Sequence, residues 1–440
     1  MNSRPSPTDT EPVRGAEPVR GTEPVQDTEA VRGTEPVRDT ETVRGTEPVR
    51  AAQPVRDTET VRGTEPVRAA QPVRDTETVR AAEPVRAAQP VRRTEPVRRT
   101  EAVRGANAVR TRPTLADTEA MRRRRGESVL LYITDQCPVG CAHCSVDARA
   151  DSDRVTDWEA FHDVVAGIVA LPGLRSVAVS GGEPFAEQRA LPYAIGAFAD
   201  AGLETIVFTS GYWARENGSA PGWVRRLLPR ISTLFLSTDG FHQGGVSNHR
   251  FVGALRAAHE AGCRIVVQEL DTGDGARVAE ELLLEALGPR WADGAETKLI
   301  TPLRYGRGSG VFALQSRHEV GALAACTLLG SPTVRYDGVV IPCCNEGLIT
   351  GHGPSALRAP TRRPEDVARA LTGFRDDPLL RVMGQLGPGA AADLPGFEAL
   401  REERFENVCG GCWKAYDIAA RPGRAADSVT ALGVALREGG

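Results

Sequence analysis

The chain has 440 residues, room for two or three domains. Its formal net charge of −4 gives no bulk attraction to nucleic acid or an anionic membrane surface. No apolar stretch reaches the roughly 18 residues of a membrane helix, and the N-terminus lacks the apolar core of a signal peptide, so the sequence predicts a cytoplasmic protein with neither membrane nor nucleic acid as partner.

Residues 10–111 repeat a six-residue unit of the form Thr-Glu-Pro-Val-Arg-x. Each unit offers one Val, and most carry a Pro that removes a backbone donor. A period of six matches neither a helical face nor strand alternation, and one apolar side chain per hexad cannot offset the entropy of ordering six residues. The sequence therefore predicts a disordered tail over 1–120. A hexapeptide β-helix is the structured alternative, but recurrent Pro would cost its sheets their donors. Met121, followed by four arginines and a first strand, is a possible alternative start of translation.

From residue 126 the pattern changes to alternating strands and helices. Strands are predicted at 128–134, 175–180, 204–209, 231–237, 263–270 and 297–301, with helices at 155–170, 191–201, 249–262 and 275–287 between them. Asp157 stands near the start of the first of these helices, with Trp158, Phe161, Val165 and Ile168 on one side. This alternation predicts an α/β fold with a parallel sheet, whose chemistry belongs at the C-terminal ends of the strands.

The first strand runs into Asp135-Gln-Cys-Pro-Val-Gly-Cys-Ala-His-Cys144. Three thiolates on one loop, Cys137, Cys141 and Cys144, can hold three irons of a cubane and leave the fourth open. A zinc loop with a distant fourth ligand is the plainer alternative. Gly140 permits a tight path between them. The second strand ends in Gly181-Gly182-Glu183-Pro184, where glycines permit close backbone approach and a carboxylate can take an ammonium group.

Beyond the barrel stand Cys326, Cys343, Cys344, Cys409 and Cys412. Residues 333–342 read as a hairpin turning at Asp337-Gly338, which can bring Cys326 and Cys343 together. Cys409-Gly-Gly-Cys412 supplies a second pair. Together Cys326, Cys343, Cys409 and Cys412 make one closed four-thiolate site, with Cys344 as substitute for Cys343 and a structural zinc ribbon as the alternative. Cys263 reads as a small buried apolar residue.

The Cys137-x3-Cys141-x2-Cys144 loop with His143 before its last Cys, together with Gly181-Gly182-Glu183-Pro184, resembles the signature of the radical S-adenosylmethionine (SAM) superfamily. The resemblance covers about 128–308. It implies a partial (βα)6 TIM-like barrel over 126–312. It also implies a catalytic [4Fe–4S] cluster on the three cysteines, and SAM held by Gly181, Gly182, Glu183 and Pro184. Thr209-Ser210-Gly211, the segment from Ser237 to His242, and Pro302 to Gly308 resemble further strand-end segments of the family, which adds Ser210 and Ser237 as cofactor-binding candidates.

The later cysteines resemble the SPASM/twitch auxiliary-cluster region, in the shorter twitch form with a second [4Fe–4S] cluster. This places a small α+β Cys-rich domain at 318–425 and a C-terminal tail at 426–440. The resemblance implies an electron donor such as flavodoxin or ferredoxin. It leaves two substrate classes open: a ribosomally made precursor peptide, favoured here, or a small aminocyclitol or sugar alcohol oxidised to a ketone. The four-cysteine layout resembles that of an aminocyclitol dehydrogenase. A non-catalytic iron–sulfur or zinc scaffold is the reading of another class, and it gives Gly181 to Pro184 no task. Asp239 and His242 are the leading acid–base candidates, with Glu269, Asp271 and Arg304 behind them.

Overall fold

The computed structural model describes residues 112–438, apart from 273, 274 and 314. The hexad repeat lies outside the described residues. The expected end of the tail at 120 needs correction, because helix α1, Leu115–Arg123, begins before it. Its start is set locally by a capping box, in which the Thr114 hydroxyl accepts from Asp117 N and the Asp117 carboxylate accepts from Thr114 N. Burial of Thr118 and Met121, and a 2.7 Å ion pair from Glu119 to Lys298, then fix the helix to the barrel.

The barrel strands are β1 Ser128–Tyr132, β2 Ser176–Ser180, β3 Glu204–Thr209, β4 Thr233–Ser237, β5 Arg264–Leu270 and β6 Ala295–Ile300. They lie side by side in chain order and all parallel. Short, nearly continuous apolar runs such as Ser-Val-Leu-Leu-Tyr suit strands covered on both faces, and every residue of β1 is buried. The crossovers carry α2 Trp158–Val169, α3 Ala190–Asp200, α4 Gly222–Leu227, α5 Asn248–Glu260 and α6 Gly275–Leu287. Asp157 caps α2 as its position predicts, its carboxylate accepting from Ala160 N at 3.0 Å.

After the short helix α7, Gly308–Val311, come β7 His318–Glu319, β8 Thr333–Arg335, β9 Val339–Ile341, α8 Glu346–Ile349 and β10 Ala359–Pro360. Helices α9 Pro364–Asp376, α10 Pro378–Gln385 and α11 Pro388–Ala392 follow, then β11 Arg404–Phe405, α12 Val408–Ala419 and α13 Arg424–Glu438. The expected hairpin forms from β8 and β9. Beyond that expectation, β8 pairs in parallel with the free edge of β1, so the barrel sheet continues into the C-terminal region as nine strands. β7 and β11 form a separate two-stranded ribbon. No helix among the described residues is long and apolar enough to cross a membrane.

Candidate active site

The chain leaves β1 and runs along the end of β2. Ile133 N donates to Ser180 O at 2.8 Å, Gly182 N to Thr134 O at 2.7 Å and Glu183 N to Gln136 O at 2.9 Å. The Gly-Gly-Glu turn is thereby laced to the backbone that carries Cys137. A Cβ at Gly181 would stand 2.6 Å from Thr134 O, and one at Gly182 would stand 2.3 Å from Gln136 O. In the protein alone, the close approach these glycines permit is to the cysteine loop.

Glu183 is 1% exposed. Its carboxylate accepts from Thr209 Oγ1 at 2.7 Å, Ser210 Oγ at 2.6 Å, Ser210 N at 2.9 Å and Phe185 N at 3.1 Å. Burial pushes its pKa up, and these four donors work against that. Glu183 thus ties the end of β2 to the end of β3. Pro184 opens the 3-10 turn 184–186 and is buried beneath the turn.

The far side of the cysteine loop is held by Arg307, which sequence reasoning did not single out. Its Nη2 and Nε donate to Cys141 O at 2.8 and 3.0 Å, both Nη atoms donate to Ala148 O at 3.1 Å, and Nη1 pairs with Asp147 at 2.7 Å. A guanidinium fork matches two carbonyls and a carboxylate in one plane where an ammonium would not. The signal available beforehand was its place in the segment 302–308 after the last strand.

These elements enclose a cavity of about 250 Å³ at the C-terminal ends of all six barrel strands. Its wall takes Cys137, Cys141, Cys144 and His143 from the first loop, Gly181 to Glu183 from the second, and Thr209 and Ser210 from the third. Ser237, Asp239 and His242 follow β4, Gln268 and Leu270 end β5, and Ile300, Thr301 and Leu303 follow β6. Of the predicted cofactor-binding residues, Gly181, Gly182, Glu183, Ser210 and Ser237 line the wall; Pro184 supports it from behind.

Asp239 Oδ1 accepts from Phe241 N and His242 N, both at 2.9 Å, and its Oδ2 lies 2.9 Å from His242 Nδ1. Burial disfavours the His242 imidazolium, but Asp239 and Cys141 outweigh it and push its pKa up to about 10. Asp239 Oδ2 also lies 3.7 Å from His143 Nε2. Glu269 points the other way from Gln268 and Leu270, and its Oε2 accepts from Ala279 N in α6 at 3.1 Å. Asp271 is exposed. Arg304 pairs with Glu406 at 3.4 Å in a neighbouring cavity.

The three loop cysteines suit a metal cluster. Burial first, then the Glu183 charge and the other two thiols, push Cys137 up to about 12. A metal removes that cost by taking the place of the proton. Nδ1 of His143 is buried without a hydrogen-bond partner, and its ring belongs to a Cys141, His143, His242 group whose ligand atoms lie within 4.8 Å of one another.

In the C-terminal region, α12 begins at Asn407, whose side chain accepts from Cys409 N at 3.0 Å and Gly410 N at 3.2 Å. Cys409 and Cys412 therefore share one face of a helical first turn. Burial raises Cys343, and the thiols of Cys344, Cys409 and Cys326 add to it. Burial likewise raises Cys412, with Cys326 and Cys409 adding to it. Cys344 also faces Arg122, whose Nη2 lies 3.8 Å from its sulfur. Among the described residues the thiols of Cys326, Cys343, Cys409 and Cys412 do not form a set within 4.8 Å. Tetrahedral zinc, with Zn–S bonds of about 2.3 Å, would hold its sulfurs about 3.8 Å apart. Cys263 is buried, its thiol donating to Leu228 O at 3.2 Å.

No protein-family model matches the chain, and no curated protein matches it. Solved structures similar to it include SuiB of Streptococcus suis bound to S-adenosylmethionine, at 14% identity over 60% of this chain and 68% of that one, with a TM-score of 0.41. anSMEcpe with bound AdoMet and Cp18Cys peptide is 13% identical over 69% of this chain and 99% of that one, with a TM-score of 0.43. BtrN in complex with AdoMet and 2-DOIA is 12% identical over 64% and 98%, with a TM-score of 0.34.

Proposed function

We propose that the protein is a radical SAM enzyme that modifies a peptide substrate. The observation that carries this reading is the backbone lacing of the three-cysteine loop to the Gly181–Gly182–Glu183 turn, which sets both on one cavity at the strand ends. A scaffold protein has no use for that pairing.

Cys137, Cys141 and Cys144 would hold a [4Fe–4S] cluster with one open iron, and the Gly181 to Glu183 backbone, Ser210 and Ser237 would border SAM. When bound, the cluster supplies the electron that splits SAM into methionine and a 5′-deoxyadenosyl radical. The protein's own task is positional. Arg307 fixes the cysteine loop, Glu183 fixes the spacing of the second and third strand ends, and Asp239 orients His242 toward Cys141. Phe208, Leu270, Ile300 and Leu303 make part of the cavity wall apolar. Cys326, Cys343, Cys409 and Cys412 would hold a second cluster. A ferredoxin or flavodoxin would be the electron donor.

The peptide reading draws support from a second cavity of about 250 Å³ that shares Leu303 with the first. Its wall combines Tyr305, Trp413, Arg304, Arg317, Glu406 and Asn407. Aromatic faces, both charges and an amide suit a varied peptide better than a polyol.

The test is an iron count and a SAM-cleavage assay on anaerobically reconstituted protein with a chemical reductant. About eight irons, halved when Cys137, Cys141 and Cys144 become Ala and with 5′-deoxyadenosine lost, supports the reading. Iron-loaded protein that yields no 5′-deoxyadenosine, with reductant and candidate peptides both present, overturns it. Cleavage stimulated by an aminocyclitol and by no peptide overturns the substrate class alone.

A further inference from the structure

The run Arg122 to Arg125 contains two kinds of arginine. Arg123 pairs with Glu119 at 3.2 Å and Arg124 with Glu127 at 3.6 Å, and both guanidinium side chains are mostly exposed. Arg122 and Arg125 turn inward. Among the described residues, no carboxylate oxygen lies within 4 Å of either guanidinium; Glu119 and Glu346 act on Arg122, and Asp377 on Arg125, from beyond that distance.

Arg122 Nε is buried and makes no hydrogen bond. Its Nη2 reaches Cys344 Sγ at 3.8 Å, and the guanidinium stands 6.0 Å from the centre of the Phe208 ring, which lines the SAM-side cavity. Arg125 shares a cavity wall with Arg375, Leu329 and Pro342, the residue before Cys343. Burial first, then the like charges of Arg381 and Arg375, lower its pKa, with Asp377 and Cys326 on the opposing side. Arg381 Nε is also buried without a partner, though its Nη2 lies 3.6 Å from Asp376 and donates to Arg375 O at 3.2 Å.

A partly desolvated guanidinium without a close carboxylate is costly, and a like charge beside it adds to the cost. Both inward arginines adjoin the four-cysteine region, one at Cys344 beside Cys343 and the other at Pro342 and Leu329. Four thiolates around a [4Fe–4S] core carry net negative charge, and reduction adds one more unit. A negative centre of that kind adds a counter-charge to the more distant carboxylates.

We propose that Arg122 and Arg125 are the counter-cations of the C-terminal cysteine site and raise the reduction potential of the cluster it holds. This rests on the second-cluster reading given above. Arg122 acts through Cys344, a neutral spacer whose sulfur takes its N–H, so it is a positioning residue. Because the reduced cluster is the more negative form, removing either cation disfavours reduction.

The test uses the full chain with Cys137, Cys141 and Cys144 replaced by Ala, so that only the C-terminal cluster remains, titrated with reductant and followed by electron paramagnetic resonance. Arg122→Gln and Arg125→Gln should each disfavour reduction about tenfold, a midpoint about 59 mV more negative for one electron. Arg122→Lys should stay close to the parent, and Arg123→Gln and Arg124→Gln should leave it unchanged. Equal midpoints in all variants that keep their irons overturn the inference and leave the cluster standing. Loss of iron in Arg122→Gln but not in Arg122→Lys supports a charge requirement, and loss in both assigns the residue to packing and overturns it. A parent protein without iron, or with zinc, overturns the second-cluster reading and the inference with it.

Discussion

A methyl group added at Gly182 would sit 2.3 Å from Gln136 O, inside the backbone contact that joins the two main motifs. Gly182→Ala should therefore cost about 1–3 kcal/mol of stability and lower iron retention at the three-cysteine loop, read by thermal melting and iron per chain. Unchanged melting and iron would show that the loop shifts freely. Glu269 poses a different question. Burial pushes its carboxyl up to about 7 from an ordinary 4.5, so the folded state holds the proton more tightly than the unfolded one. The burial cost is absent below pH 4.5, where both states are protonated, grows between 4.5 and 7, and is complete above 7. Glu269→Gln keeps the acceptor for Ala279 N and removes the charge. The variant should gain about 2–3 kcal/mol over the parent between pH 4.5 and pH 8, measured by denaturant unfolding at each pH. A constant difference across that range would refute the assignment.

Among the elements, the strand ends and the cysteine loop are where sequence and structure agree most. Largely apolar runs of five to seven residues give β1 to β5 directly, whereas β6, which carries Glu296 and Lys298, starts two residues before the expected 297; the cysteine spacing marks its own loop. What the sequence hides is every contact made across a long stretch of chain. Arg307 reaches the cysteine loop from 160 residues away, and Arg335 reaches Asp135 from 200. Neither arginine differs locally from dozens of surface arginines. Two glycines separate Cys409 and Cys412, which disfavours a helix locally; the Asn407 cap overrides that preference and starts one. Arg307→Ala should remove the clamp on Cys141 O and Ala148 O. Iron should fall by about half while the C-terminal site keeps its share, a split that iron counting in the three-cysteine and four-cysteine Ala backgrounds resolves. Full iron in Arg307→Ala would mean that the loop is held from the Gly182 side alone.

At the scale of the whole molecule, α1 belongs to the folded body. Leu115 N donates to Glu296 at 2.8 Å, Glu119 pairs with Lys298 at 2.7 Å, and Thr118 is fully buried. A chain begun at Met121 would lose all three, so it should melt several degrees below one begun at residue 112. Equal melting would mean that α1 merely rests on the barrel. Asp135, two residues before Cys137, pairs with Arg335 at 2.8 Å and accepts from Tyr336 OH at 2.8 Å. Burial works against the Arg335 guanidinium, and Asp135 and Asp337 outweigh it. This network binds the first cysteine loop to the β8–β9 hairpin at the seam where β8 lies along β1.

That seam limits how a ligand could reach the cavity. Two domains joined by a linker can swing apart to admit a large ligand, but here the boundary is a continuous hydrogen-bonded ladder through Leu130, Leu131 and Tyr132. Opening it would sever main-chain bonds in the middle of a nine-stranded sheet. Access to the cavity is left to the strand-end loops, where Leu303 is shared with the neighbouring cavity.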